Sequence, residues 1–198
     1  AIKLRLGYPT LKEDLAALRA VRERAGAGID IMVDYNQALS AEEGLERVRA
    51  LASEGIAWLE EPIRHDDLEG NARISAATDV PLQLGENFNG VEAMDAALRA
   101  KACDLVMPDL GRIGGVTGWM RAAALAQAAG CEMSSHLFPE ISAHLLAVTP
   151  TRHWLEYVDW ANAILADPLT VSDGHVTARP TPGSGIRWND EAVARYEV

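Results

Sequence analysis

Three carboxylates, Asp34, Glu60 and Glu86, each follow a short apolar run and recur at even spacing along the chain. If each run is a strand, the three acids stand at the mouths of adjacent strands. Like charges brought that close repel and need a compensating cation. An all-oxygen set without Cys or His suits Mg2+, which keeps open positions for substrate oxygens. Glu61 is a weaker ligand candidate than Glu60, because successive strand residues point to opposite faces.

Asp109 and His136 close the next two apolar runs. A carboxylate on one ring nitrogen fixes the tautomer of a histidine and leaves the other nitrogen free to move a proton. Lys3 and Arg5 are two residues apart and so share one face of their strand. Two cations aimed into a mouth lined by acids can neutralise those acids or an acidic substrate. Glu156, after the last apolar run, could donate a hydrogen bond to a developing enolate oxygen. His65, His144, His153 and His175 lack such a setting and read as solvent or packing residues. Cys103 and Cys131 open apolar runs without metal-ligand spacing, which reads as buried thiols.

The elements that must carry these groups follow from periodicity. Strand-length apolar runs recur at Ala1–Leu6, Ile29–Val33, Ile56–Leu59, Pro81–Leu84, Cys103–Met107, Cys131–Ser134 and Trp154–Val158. Amphipathic stretches lie between them. In Leu11–Arg24, Leu15, Leu18 and Val21 share one face. Pro9-Thr10 and Leu39-Ser40 read as helix entries, with Thr10 and Ser40 as N-caps. Strands alternating with helices mean parallel βαβ units, and seven of them favour an α/β TIM-like barrel. A full barrel takes about 250 residues. The chain has 198 and opens inside a strand, so the first barrel strand is expected to be missing. Residues 1–160 form the partial barrel. Residues 161–198 form an irregular C-terminal segment, with short extended pieces expected at Leu169–Val171 and His175–Ala178.

Composition narrows the partners. A net charge of −11 argues against nucleic acid and anionic membrane. No apolar stretch reaches spanning length and no signal peptide is visible, so a cytoplasmic location is expected.

The segments IMVDYNQ, WLEEP, LGEN, MPDLGRIGGVTGW, MSSHLFPEISAHLLAVTPTRHWLE and PGSGIRW together resemble the enolase superfamily, in its mandelate racemase/muconate lactonizing enzyme-like subgroup. The resemblance runs over essentially the whole chain. It implies a (β/α)7β barrel, an essential Mg2+, and abstraction of the α-proton of a carboxylate substrate to give a metal-stabilised enolate. On this resemblance Asp34, Glu60 and Glu86 match the metal ligands. His136 matches the base for one substrate face, Asp109 its dyad partner, and Glu156 the acid at the enolate. Lys3 matches the lysine that neutralises the substrate carboxylate, and Asn36 a substrate-contacting amide. The subgroup's racemase has Lys-x-Lys on the first of these strands; here it reads Lys3-Leu4-Arg5. Guanidinium is a poor general base. Racemisation of a 2-hydroxy acid and dehydration of an acid sugar therefore both stand as expectations. An inactive fragment and a carboxylate-binding protein are further alternatives. Family members also carry an N-terminal capping domain, expected to be absent from this chain and to pack on residues 161–198. The expected partners are a small carboxylate, that missing domain, and further copies of the chain in a homo-oligomer.

Overall fold

A computed structural model describes residues 1–197. Seven strands form one parallel sheet in chain order: β1 (Ile2–Arg5), β2 (Ile31–Asp34), β3 (Trp58–Glu60), β4 (Leu82–Leu84), β5 (Leu105–Val106), β6 (Glu132–Ser135) and β7 (Arg152–Leu155). Six helices cross between them: α1 (Leu11–Ala25), α2 (Ala41–Leu51), α3 (Leu68–Ser75), α4 (Val91–Arg99), α5 (Gly115–Ala129) and α6 (Pro139–Val148). The sheet curls into an open TIM-like barrel. Across its interior the Trp58 and His153 rings lie 5.7 Å apart. At its mouth Lys3 of β1 reaches Glu156, just past β7. Among the described residues β1 pairs only with β2, and β7 only with β6.

Local sequence explains the helix starts. Thr10 caps α1 and Ser40 caps α2, each in a capping box closed by Glu13 or Glu43. Leu18 is buried, with Leu15 and Val21 packed beside it, as the amphipathic pattern requires. Between sheet and helices lie two apolar layers. One gathers Ile31, Val33, Leu59 and Leu82 over α1, α2 and α3. The other gathers Leu84, Val106 and Met133 with Met94 and Trp119 of α4 and α5. Alternate strand residues face inward, so Met32, Trp58, Leu105 and Trp154 fill the barrel interior. Both cysteines are free and buried, and burial pushes the Cys131 thiol up to about 11.

Two expectations need correction. The last strand runs Arg152–Leu155, two residues earlier than the apolar run suggested, because a register shift between Met133 and Ser135 offsets its pairing. The extended pieces at Leu169–Val171 and His175–Ala178 do not form strands. That region makes an isolated Ser172–His175 bridge instead, and a second bridge joins Leu165 to Trp188. The segment is fastened by buried Leu165, Leu169 and Ala192 and by the Tyr157 hydroxyl donating to the Leu169 carbonyl (2.8 Å). It ends in the short helix α7 (Asp190–Ala194).

Candidate active site

The C-terminal ends of the strands converge on one mouth. Asp34 closes β2 and Glu60 closes β3, in direct register with each other. Glu86 lies two residues beyond β4. Gly85 sets its position: a Cβ there would lie 2.5 Å from the Met107 backbone, and its φ of +152° is one that side chains rarely adopt. All three acids are buried, and one oxygen from each lies within 4.8 Å of the others.

Each acid is held by its own partners. Asp34 accepts from the Asn36 amide (2.7 Å) and pairs with Arg5 (2.9 Å). Glu60 takes Lys3 Nζ on one oxygen (2.9 Å) and the Trp58 indole on the other (3.0 Å). Glu86 accepts from the Asn36 side chain (3.1 Å) and faces His136 Nε2 at 3.4 Å. Burial pushes Asp34 up despite Arg5, and pushes Glu60 up to about 7 despite Lys3. Burial also opposes the charge of Lys3, but Glu60 and Glu156 outweigh it and hold its pKa above the ordinary lysine value. Two cations thus leave the carboxylate cluster short of positive charge. A buried, all-oxygen, charge-deficient trio fits a hard divalent cation such as Mg2+.

His136 sits on the far side of Glu86. Its Nδ1 lies 2.8 Å from Asp109 Oδ2, and a short parallel bridge joins the two residues. The other Asp109 oxygen accepts from the amides of Gly111 (2.8 Å) and Arg112 (3.0 Å). A carboxylate only accepts, so Nδ1 carries the hydrogen and Nε2 faces the mouth. Glu156 completes the rim. One oxygen contacts Lys3 Nζ (2.5 Å); the other accepts from the Leu137 amide (2.8 Å) and lies 4.0 Å from His136 Nε2.

The nine candidate residues therefore surround one mouth. Lys3 is largely enclosed, whereas the Arg5 side chain is 60% exposed. Asn36 reaches Glu86 rather than open space. Glu61 stands outside the trio, in a left-handed backbone conformation (φ 37°), with both oxygens on the Asn87 side chain. Burial, and then the charge of Glu86, push its carboxyl up to about 8. The other histidines lie elsewhere: His65 on Gln37, His153 against Trp58, His175 on the Asp173 carbonyl, and His144 beside Gly185.

Sequence reasoning missed the residues around this shell. Asn87 and Arg112 link Glu61, Glu86 and Asp109. Their only signal was adjacency, Asn87 to Glu86 and Arg112 to the Asp109 turn. It also missed that Asn36, Gln37, Glu61, Leu137 and Phe138 adopt positive φ at the strand ends. Backbone strain of this kind gathers at functional sites.

Comparison with known proteins gives a consistent picture. A family described as enolase C-terminal domain-like matches residues 1–192. Among solved structures, an enolase from Bradyrhizobium complexed with magnesium and mandelic acid superposes with a TM-score of 0.96 at 44% identity; the match covers all of this chain and 54% of that one. L-talarate dehydratase from Polaromonas sp. JS666, complexed with Mg and L-glucarate, gives a TM-score of 0.93 at 30% identity over 98% of this chain and 52% of that one. The 3,6-anhydro-alpha-L-galactonate cycloisomerase of Streptomyces coelicolor is 37% identical over all of this chain and 55% of its own length. The chain thus spans about half the length of these relatives.

Proposed function

The chain belongs to the enolase C-terminal domain-like family, and from that premise we propose that it is the catalytic barrel of an enzyme that removes the α-proton of a small carboxylate substrate. The observation that carries this reading is the placement of His136 Nε2 beside the acid trio, with Nδ1 tied to Asp109. Asp34, Glu60 and Glu86 would hold one Mg2+, which would supply the positive charge that the substrate carboxylate needs. His136 takes the proton through Nε2, while Asp109 holds the ring and balances the charge it gains. Glu156, when it carries a proton, would donate to the oxygen that gains charge, and Lys3, lodged between Glu60 and Glu156, neutralises the substrate end of the site. Asn36 holds Glu86 through its side-chain NH2 and would meet the substrate through its remaining oxygen.

The reaction is one-sided in this proposal. Arg5 occupies the position from which a second base would act, and its guanidinium pairs with Asp34. Arginine keeps its proton, so the face opposite His136 has no acceptor. Dehydration of an acid sugar moves the α-proton to His136 and expels the β-hydroxyl as water on a proton from a general acid, so it needs only one base. The second reading is racemisation of a 2-hydroxy acid, favoured by the 44% identity to the Bradyrhizobium chain complexed with mandelic acid.

The test is exchange in D2O with Mg2+, followed by NMR for each mandelate enantiomer and a panel of acid sugars. One-sided exchange through His136 supports dehydration or a related reaction. Equal, rapid exchange from both mandelate enantiomers would make Arg5 a base and favour the racemase.

A further inference from the structure

Glu61 and Glu86 sit on neighbouring strand ends, both buried, with only Asn87 between them. The Asn87 Nδ2 donates to both oxygens of Glu61 (3.1 and 2.8 Å) and makes a longer contact to Glu86 Oε1 (3.4 Å). The Asn87 Oδ1 accepts from Arg112 Nη1 (2.8 Å), and the same nitrogen donates to the Glu86 carbonyl (2.7 Å). These partners fix which way the amide points. A flipped amide would set its oxygen against two carboxylates and its NH2 against a guanidinium. Arg112 also gives its backbone amide to Asp109 (3.0 Å). One chain of bonds thus runs from Glu61 through Asn87 and Arg112 to the dyad.

We infer that Asn87 is a positioning residue of the metal centre, a donor wedge between Glu61 and Glu86 that keeps the Glu86 carboxylate turned toward Asp34 and Glu60. This rests on the metal reading above. A side-chain NH2 placed between two acid groups satisfies acceptors on both and sets the distance between them. With the wedge gone, Glu86 is left with Asn36 alone on Oε1, and Glu61 is left without its donor.

Mg2+ titration calorimetry on the full chain tests this, with thermal melting of each metal-free variant to verify folding. Asn87→Leu keeps the volume and loses the donor. Its Mg2+ affinity should fall at least about tenfold, the range for an outer partner of a metal ligand. The double variant Asn87→Leu/Glu61→Gln puts an NH2 donor back beside Glu86 and should regain most of the loss, which a merely structural role would not produce. Should Asn87→Leu fail to fold, Asn87→Asp keeps the shape and the acceptor for Arg112 but cannot donate, and the same loss is expected. Parent-like affinity in the folded donor-less variant overturns the inference, and so does a loss that Glu61→Gln leaves unrepaired. Asp34→Asn separates the metal site from the wedge. If it abolishes binding while the Asn87 variants bind normally, only the wedge fails. If the parent itself binds no Mg2+, the metal reading fails and the wedge with it.

Discussion

At the scale of single residues, proton transfer falls to one nitrogen, His136 Nε2, and hydrogen bonding alone to its neighbours. His136→Asn keeps a polar group facing Asp109 but removes the base. Exchange of the α-proton should fall by the ~10²–10⁴-fold that a positioned base contributes, with the melting temperature little changed. Exchange at the parent rate would show that the base lies elsewhere. Arg5 is the complementary case. Its side chain is mostly exposed and bound at one end to Asp34, so Arg5→Lys is sterically mild and supplies a group that can lose a proton. Exchange from the opposite enantiomer should rise in that variant, measured in the same D2O assay. No change there would show that geometry, and not the chemistry of the guanidinium, keeps the reaction one-sided.

At the scale of elements, the strand ends work as a set because each is pinned separately. Gly85 lets the end of β4 pass against the Met107 backbone; Gly85→Ala should push Glu86 outward and weaken Mg2+ binding, read by calorimetry. Behind β1 and β2, Asp14 is fully buried and accepts from the amides of Gly7 (3.0 Å) and Tyr8 (2.9 Å), the Tyr35 hydroxyl (2.7 Å) and Arg47. Removing one member of a buried ion pair strands the other, so Asp14→Ala should cost about 3–5 kcal/mol in urea unfolding. At the bottom of the barrel, burial lowers the pKa of His153 against the pull of Glu132 and Asp30. The folded chain then binds fewer protons there than the unfolded chain does. Stability from this site is therefore present above the ordinary histidine range of about 6.5 and is lost as pH falls below it. His153→Gln should flatten that part of the pH dependence of the urea midpoint. The sequence showed the two capping boxes, the strand–helix alternation and the evenly spaced acids, because those signals are local or strictly periodic. It did not show Asp14, whose buried role depends on Arg47 arriving from α2, nor Asn87, whose partners come from β3 and from the loop after β5. It placed β7 late because the register shift beside β6 leaves no mark on hydrophobicity.

At the scale of the molecule, a curled seven-stranded sheet sets every candidate group around one opening and leaves β1 and β7 each with an edge unpaired among the described residues. Large apolar side chains also stand exposed near its C-terminal segment, among them Trp160 and Trp188. Unpaired edges and apolar patches invite association. The isolated 198-residue chain should therefore self-associate or require a partner, seen as concentration-dependent mass in sedimentation; a stable monomer at all concentrations would contradict this. In that opening Asp34, Glu60 and Glu86 would share one divalent cation beside the Asp109–His136 pair. The most direct measurement is anomalous diffraction from crystals grown with Mn2+ in place of Mg2+. A single peak is expected at ~2.0–2.2 Å from an oxygen of each of the three carboxylates, close to the spacing of an octahedral hard cation, with His136 outside its ligand shell. A peak elsewhere, or the three side chains turned apart with Mn2+ supplied, would contradict it.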